Sequence, residues 1–333
     1  MSTAIVTHKD CILHDTGPNH PESKERLIAI NKTLKEFKSK KIKWFQGEKV
    51  ESKYFFTVHS ENYFEDIKNK SPKEGTFRID ADTILSKYSL EAALKATGSV
   101  CKAVDIVFGG KFKNAFCPIR PPGHHAEPQR AMGFCFFNNI AIAANYAKLK
   151  YKINKCAVID FDVHHGNGTQ KMFWNDPNMF YASTHQEGIF PGTGFKEETG
   201  INNNIVNVPL PAGTDSLLFK KSYEDIIIPS LEKFSPDIII AVGGGTVIDY
   251  AKIANCVGVE KNLEKKIINN SYILKHKLAK LIAIPTTAGS GAEVTANAVI
   301  YINKIKYSVE SELVKPDYFF LIPEFVMGAP KKI

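Results

Sequence analysis

The stretch KCAVIDFDVHHGNGTQ, residues 155–170, decides the architecture. It opens on an apolar run, Cys156–Ile159, and closes on Asp160, Asp162, His164 and His165. An unbroken apolar run suits a strand buried on both faces, as in a parallel sheet. The polar end then delivers reactive side chains at the strand's carboxyl end. MFYAST (179–184), PDIIIAVGGG (236–245) and KLIAIPTT (280–287) repeat the pattern, and 113–118 reads as a shorter strand. Apolar residues at helical spacing predict helices over 22–39, 89–108, 137–149 and 215–234, with a solvated helix and loop at 259–270. Strands alternating with helices predict an α/β fold, a doubly wound parallel sheet with helices on both faces.

Composition narrows the function. The chain has 333 residues, 44% hydrophobic and 23% charged, which suits a folded domain with a sizeable core and excludes a disordered or collagen-like chain. No apolar run reaches a membrane-spanning length, and MSTAIVTHKD lacks the long apolar stretch of a signal peptide. Six scattered cysteines without a CxxC pair predict a reduced, cytoplasmic protein. The net charge is +8, but only four of the 43 basic residues are arginines (Arg26, Arg78, Arg120, Arg130). Arginine supplies the forked contacts of phosphate and base recognition, so the thinly spread lysines read as solvated helix faces, not as a nucleic-acid surface.

The densest chemistry lies at 120–170. RPPGHHA puts His124 and His125 side by side in a loop stiffened by two prolines. On a continuing strand, Asp160, Asp162 and His164 would share one side. A carboxylate and an imidazole at that spacing suit a divalent ion such as Zn²⁺, and two adjacent histidines can move protons to and from a water. Either string alone is commonly structural; the two together are far more specific.

These strings resemble the zinc-dependent histone deacetylase and acetylpolyamine amidohydrolase superfamily over residues 1–240. The resemblance includes HPESKER (20–26), VHSENYF (58–64), DADT (80–83), GFCFFNNIAIAA (133–144) and FYASTHQEGIFPGTG (180–194). It implies an arginase-like parallel sheet and hydrolysis of an acetylated lysine or acetylated polyamine. It also implies roles. Asp162 and His164 match zinc ligands, His125 the general base, His124 its electrostatic partner, and Asp160 the carboxylate behind His124. Asn167 stands where one branch has Asp and resembles the class II and bacterial branch. Gly133, Phe134 and Phe190 match the acyl-lysine tunnel. Asp160, Asp162, His164 and Ser183 match a site for a monovalent cation such as K⁺.

Past residue 240 the pattern changes. Gly245 falls where the third zinc ligand, an Asp, is expected, and the segment with the oxyanion-binding Tyr is not found. Residues 236–330 resemble instead a piece of an iron-containing alcohol dehydrogenase, through PDIIIAVGGGTVIDYAK, KLIAIPTTAGSGAEVT and KPDYFFLIPEFVMGAP. That resemblance implies contacts to NAD(P) from Gly243, Gly244, Gly245, Thr246, Asp249, Thr286 and Thr287, without that family's metal ligands. The chain therefore divides at 240/241 into a deacetylase-like domain and a partial dinucleotide-binding segment. Three readings follow: a zinc-dependent deacetylase lacking part of its site, an NAD(P)-binding oxidoreductase, or a non-catalytic fusion. Metal content with turnover, NADH titration and a cooperative melt discriminate them.

Overall fold

The computed structural model describes residues 3–18, 20–36, 42–110, 112, 114–212, 214, 216–243, 280–283, 297–302, 305–310 and 318–319. The chain forms two compact units. One holds residues up to Ile153 with Gly166–Trp174; the other holds Asn154–His165 with the residues from Asn175 to Leu321.

The first unit begins with β1 (Thr3–Thr7), α1 (Lys24–Glu36), β2 (Ile42–Gln46), α2 (Ser52–Phe55) and α3 (Glu61–Lys70). A hairpin of β3 (Thr76–Arg78) and β4 (Ile84–Ser86) follows, then α4 (Ser89–Phe108), β5 (Asn114–Phe116) and α5 (Asn139–Tyr151). The last element is α6 (Asn167–Phe173). β1 is parallel to both neighbours in a three-stranded sheet, order β2-β1-β5. The predicted helix at 89–108 coincides with α4, whose buried stripe runs from Ala92 and Ala96 through Val100 and Val104 to Val107. Leu27 of α1 packs on Ala96 and Cys11. Ser60 caps α3 by accepting from the Tyr63 N–H, and Tyr63 and Ile67, one turn apart, are its buried residues.

The second unit is a six-stranded parallel sheet. Its strands are β6 (Cys156–Phe161), β7 (Met179–Gln186), β8 (Ile205–Leu210), β9 (Ile238–Gly243), β10 (Lys280–Ala283) and β13 (Tyr318–Phe319), in order β13-β10-β9-β6-β7-β8. Every neighbouring pair is parallel. A hairpin of β11 (Asn297–Ile302) and β12 (Ile305–Glu310) lies beside it in sequence. The predicted helix at 215–234 is observed as α7 (Ser216–Ser222), a π-turn over Tyr223–Ile227, and α8 (Ile228–Phe234). Pro229, near the start of α8, has no N–H for the i−4 carbonyl, which is the physical reason the α ladder shifts there.

Strand alternation decides which residues meet the helix. Ala157, Ile159, Phe161, Phe180, Ala182, Val208, Leu210, Ile239 and Ala241 form one apolar cluster with Tyr223 and Ile227 of the π-turn. The opposite face carries the other set, in which Asp160 is paired with Ser183 and Ser183 with Asn207. Polar residues on three adjacent strands thus share one face, with Asp160 next to the carboxyl end of β6, the end at which open α/β sheets hold their ligands. The sequence reading missed β1, β2, β8 and the two hairpins. It also expected the Asp160–His164 pattern to continue along a strand, but β6 ends at Phe161.

Among the described residues no helix is long and apolar enough to cross a membrane. Gly244, Gly245, Thr246, Asp249, Thr286, Thr287 and the expected helix at 259–270 lie outside the described residues. Gly243 is the last residue of β9.

Candidate functional site

The two chemical strings fall in different units, and each has its own framework. His124 and His125 lie in the first. Both are buried, with ring centroids 3.9 Å apart. His125 Nδ1 lies 2.9 Å from Asn167 Oδ1. The Asn167 amide is oriented in turn, because its Nδ2 donates to Glu127 Oε1 at 3.1 Å and approaches Met132 Sδ at 3.4 Å. With Oδ1 so directed, His125 must donate from Nδ1, and the basic lone pair falls on Nε2. That is the tautomer a general base requires.

The loop carrying the pair is tied at both ends. Before it, Arg120 forks onto the buried Glu22 carboxylate, with the Nη2 bond at 2.6 Å, and also donates to the His14 carbonyl. Burial raises the Glu22 pKa, but hydrogen bonds from His14 and Arg120 and the Arg120 charge outweigh it and hold it at about 2. At the pair itself, the Thr169 N–H donates to the His124 carbonyl at 3.1 Å. After it, Asn138 Nδ2 donates to the Ala126 carbonyl at 3.3 Å and to Thr169 Oγ1 at 3.1 Å. The Asn138 Oδ1 meanwhile caps α5 by accepting from the Ala141 N–H, a role worth about 1 kcal/mol.

His59 closes this network. Its Nδ1 donates to the Pro128 carbonyl at 3.1 Å, and its Nε2 accepts the Asn138 N–H at 2.9 Å. Burial depresses its pKa to about 4, so it stays neutral and keeps both bonds. Gly168 passes so close that a Cβ there would sit 2.2 Å from the Ala126 carbonyl oxygen. The strings HPESKER, VHSENYF and GFCFFNN thus supply the frame of the histidine loop, a role the sequence reading did not assign.

Asp160, Asp162 and His164 lie in the second unit. The strand stops at Phe161 because Asp160 Oδ1 captures the Asp162 N–H at 3.1 Å, and Asp162 Oδ1 then captures the His164 N–H at 2.9 Å. Two successive side-chain turns replace the expected strand geometry. They still bring the expected pair together, with His164 Nδ1 3.3 Å from Asp162 Oδ1. Asp160 is fully buried, and its Oδ2 accepts from the Tyr181 hydroxyl at 3.1 Å. Ser183 Oγ lies 2.9 Å from His185 Nδ1, and His185 Nε2 lies 3.1 Å from the Gly194 carbonyl. Burial is the largest influence on His185 and lowers its pKa. His165 Nδ1 holds Thr193 Oγ1 at 2.8 Å, so two buried histidines grip the turn after Phe190. A Cβ on Gly194 (φ +90°) would lie 2.6 Å from the His185 ring. Phe190 itself is 41% exposed, its ring centroid 6.2 Å from that of His164.

Among the described residues, no group of three or more His, Cys, Asp or Glu is arranged to hold a metal ion. The donor types at Asp162 and His164 fit two positions of a borderline divalent site. Gly133 and Phe134 lie in the first unit, both at positive φ, 55° and 68°. A phenylalanine in that region is unusual and marks a backbone held by its surroundings.

The family model described as the histone deacetylase domain matches residues 20–281. The chain belongs to the histone deacetylase family. Its kind is a deacetylase-type hydrolase. A probable deacetylase of Archaeoglobus fulgidus is 38% identical over 250 residues, covering 73% of this chain and 69% of the relative. Histone deacetylase 10, chloroplastic, of Oryza sativa subsp. japonica is 36% identical over 247 residues, 68% of this chain and 55% of that protein. The crystal structure of the HDA15 HD domain superposes with a TM-score of 0.68 at 31% identity, covering 74% of this chain and 73% of the other. These likenesses agree with the observed α/β fold of parallel sheets and helices. The family match ends at 281, beyond the boundary expected at 240.

Proposed function

We propose that this family member is a zinc-dependent amide hydrolase acting on an acetylated lysine or an acetylated polyamine. The observation that carries the reading is the His125–Asn167 hydrogen bond of 2.9 Å, which assigns the basic nitrogen of a buried histidine. Asp162 and His164 would hold the metal. When bound, a divalent ion supplies a Lewis acid for an amide carbonyl and lowers the pKa of a water. His125 takes a proton from the attacking water at Nε2 while Nδ1 keeps its bond to Asn167, and returns that proton to the amine nitrogen as the C–N bond breaks. His124 stabilises the charge that then develops on its neighbour. Phe134 and Gly133 would flank the substrate's aliphatic stem. Asp160, Asp162, His164 and Ser183 would hold a monovalent cation such as K⁺.

The same reading expects reduced turnover. Gly245 stands where a third ligand is expected, and loss of one oxyanion donor costs about 10²–10³ in rate. A cytoplasmic location belongs with it, supported by five described cysteines none of which is in a disulfide. Zinc analysis of the purified chain, together with turnover of acetyl-lysine and acetylpolyamine substrates, tests the reading. Bound zinc with measurable turnover supports it; zinc below about a tenth of an equivalent refutes metal-assisted hydrolysis.

A second reading concerns residues 241–333, the segment resembling an iron-containing alcohol dehydrogenase. The observation favouring it is that β9, a parallel strand flanked by β6 and β10, ends on Gly243, the first of three glycines in the sequence. That is where a dinucleotide pyrophosphate binds in such sheets. It predicts NAD(P)H binding through Gly243–Gly245 and Thr246. No fluorescence or calorimetric response to NADH at millimolar levels rejects it.

A further inference from the structure

Phe134 carries a large side chain on a backbone with φ 68°, a conformation that persists only when the surroundings over-determine it. Two groups do so within the first unit. The Phe134 N–H donates to Thr83 Oγ1 at 3.2 Å, and Thr83 is fully buried. The ring meets the His20 ring edge-on, centroids 4.9 Å apart and planes at 74°.

His20 is itself locked. Its Nδ1 accepts the Glu22 N–H at 3.1 Å, which puts the proton on Nε2, and Nε2 donates to the Asp82 carbonyl at 2.9 Å. Thr83 is fixed from the same side, because its N–H donates to Asp80 Oδ1 at 2.7 Å and its hydroxyl lies 3.2 Å from Asp82 Oδ1. One imidazole therefore bridges the 13–22 loop to the 80–83 turn and braces the Phe134 ring. The hydroxyl of that turn holds the Phe134 backbone. Glu22 continues the connection to Arg120, four residues before His124.

We infer that His20 and Thr83 are positioning residues for Phe134 and that they set the affinity for the aliphatic stem of the substrate. This role rests on the deacetylase reading, which makes Phe134 a tunnel wall. A wall that contacts the stem equally in the ground and transition states affects KM and leaves kcat nearly untouched. A general loss of folding lowers the active fraction, and so kcat, without moving KM.

The test uses the zinc-loaded full chain with His20→Ala, Thr83→Val and Thr83→Ser. Two readouts are taken: steady-state kinetics on an acetyl-lysine peptide, and hydrogen exchange at the Phe134 amide. His20→Ala and Thr83→Val are expected to raise KM about five- to tenfold with kcat within about twofold. The Phe134 amide is expected to exchange at least about tenfold faster in Thr83→Val, and Thr83→Ser to restore both values. An unchanged KM, a fall in kcat alone, or an unchanged Phe134 exchange rate overturns the positioning role. A wild-type chain that hydrolyses no acetylated amine overturns the deacetylase reading and this kinetic role with it, while the exchange measurement still reports whether Thr83 holds Phe134.

Discussion

His125 is oriented by a neutral amide, not by a carboxylate. Asn167 Oδ1 receives the Nδ1 proton without adding a charge that would stabilise the imidazolium, and Glu127 fixes which way the amide points. Such an orienting partner is typically worth about 10–100-fold in activity. Asn167→Ala is therefore expected to lower kcat by that amount with zinc content unchanged, measured by steady-state kinetics beside metal analysis. His124, His125, Asp160, Asp162, His164 and Asn167 are legible in the sequence because reactive residue types stand close together in two short strings. Glu22, His59 and Asn138 are not legible as parts of the frame. The Glu22–Arg120 bond spans 98 residues and the His59–Pro128 bond 69, and no local periodicity reports such contacts.

The histidine loop behaves as one element clamped by groups that titrate. Glu22 is held at about 2, below its ordinary 4.5, so its contribution is full above 4.5 and is lost as pH falls toward 2. His59 is held at about 4, below its ordinary 6.5, so its contribution is full above 6.5 and is lost as pH falls toward 4. Each is worth about 3 kcal/mol on this linkage. Stability is expected to decline in two steps on acidification, and Glu22→Gln to remove the lower step, as read by urea unfolding at a series of pH values. A single step unaltered in Glu22→Gln would contradict the assignment.

Gly168 belongs at the same scale. A methyl group there meets the Ala126 carbonyl at 2.2 Å, so Gly168→Ala must displace the histidine loop or α6. It is expected to lower the melting temperature, at a cost of about 1–3 kcal/mol, and to reduce turnover. Elements themselves were unevenly readable. The long amphipathic α4 coincides with its predicted span, because twenty residues of helical spacing leave little ambiguity. The end of β6 does not, because side-chain turns at Asp160 and Asp162 override the apolar alternation.

For the whole molecule, the telling feature is how the sheet of the second unit ends. A deacetylase-like chain stopping near 243 would leave β9 with an unpaired edge. Instead β10 pairs in parallel along β9, and β13 along β10. The described strands after 243 therefore extend the sheet past β9, and an open edge at β9 would be an association liability. Removal of residues 244–333 is expected to give aggregated protein by size-exclusion chromatography; a monodisperse product with a cooperative melt would show that this pairing is dispensable. The alternation of strands and helices made the parallel architecture legible, whereas sheet order rests on long-range pairing that a single sequence does not encode locally.

The hydrolysis of an acetylated amine proposed for this member of the histone deacetylase family rests on His125. Its most direct test is acetate release from acetyl-lysine and acetylpolyamine substrates by the zinc-loaded chain, beside His125→Ala at equal metal content. Measurable release is expected, falling by at least about 10²-fold in the variant. Equal rates for the two proteins would contradict it.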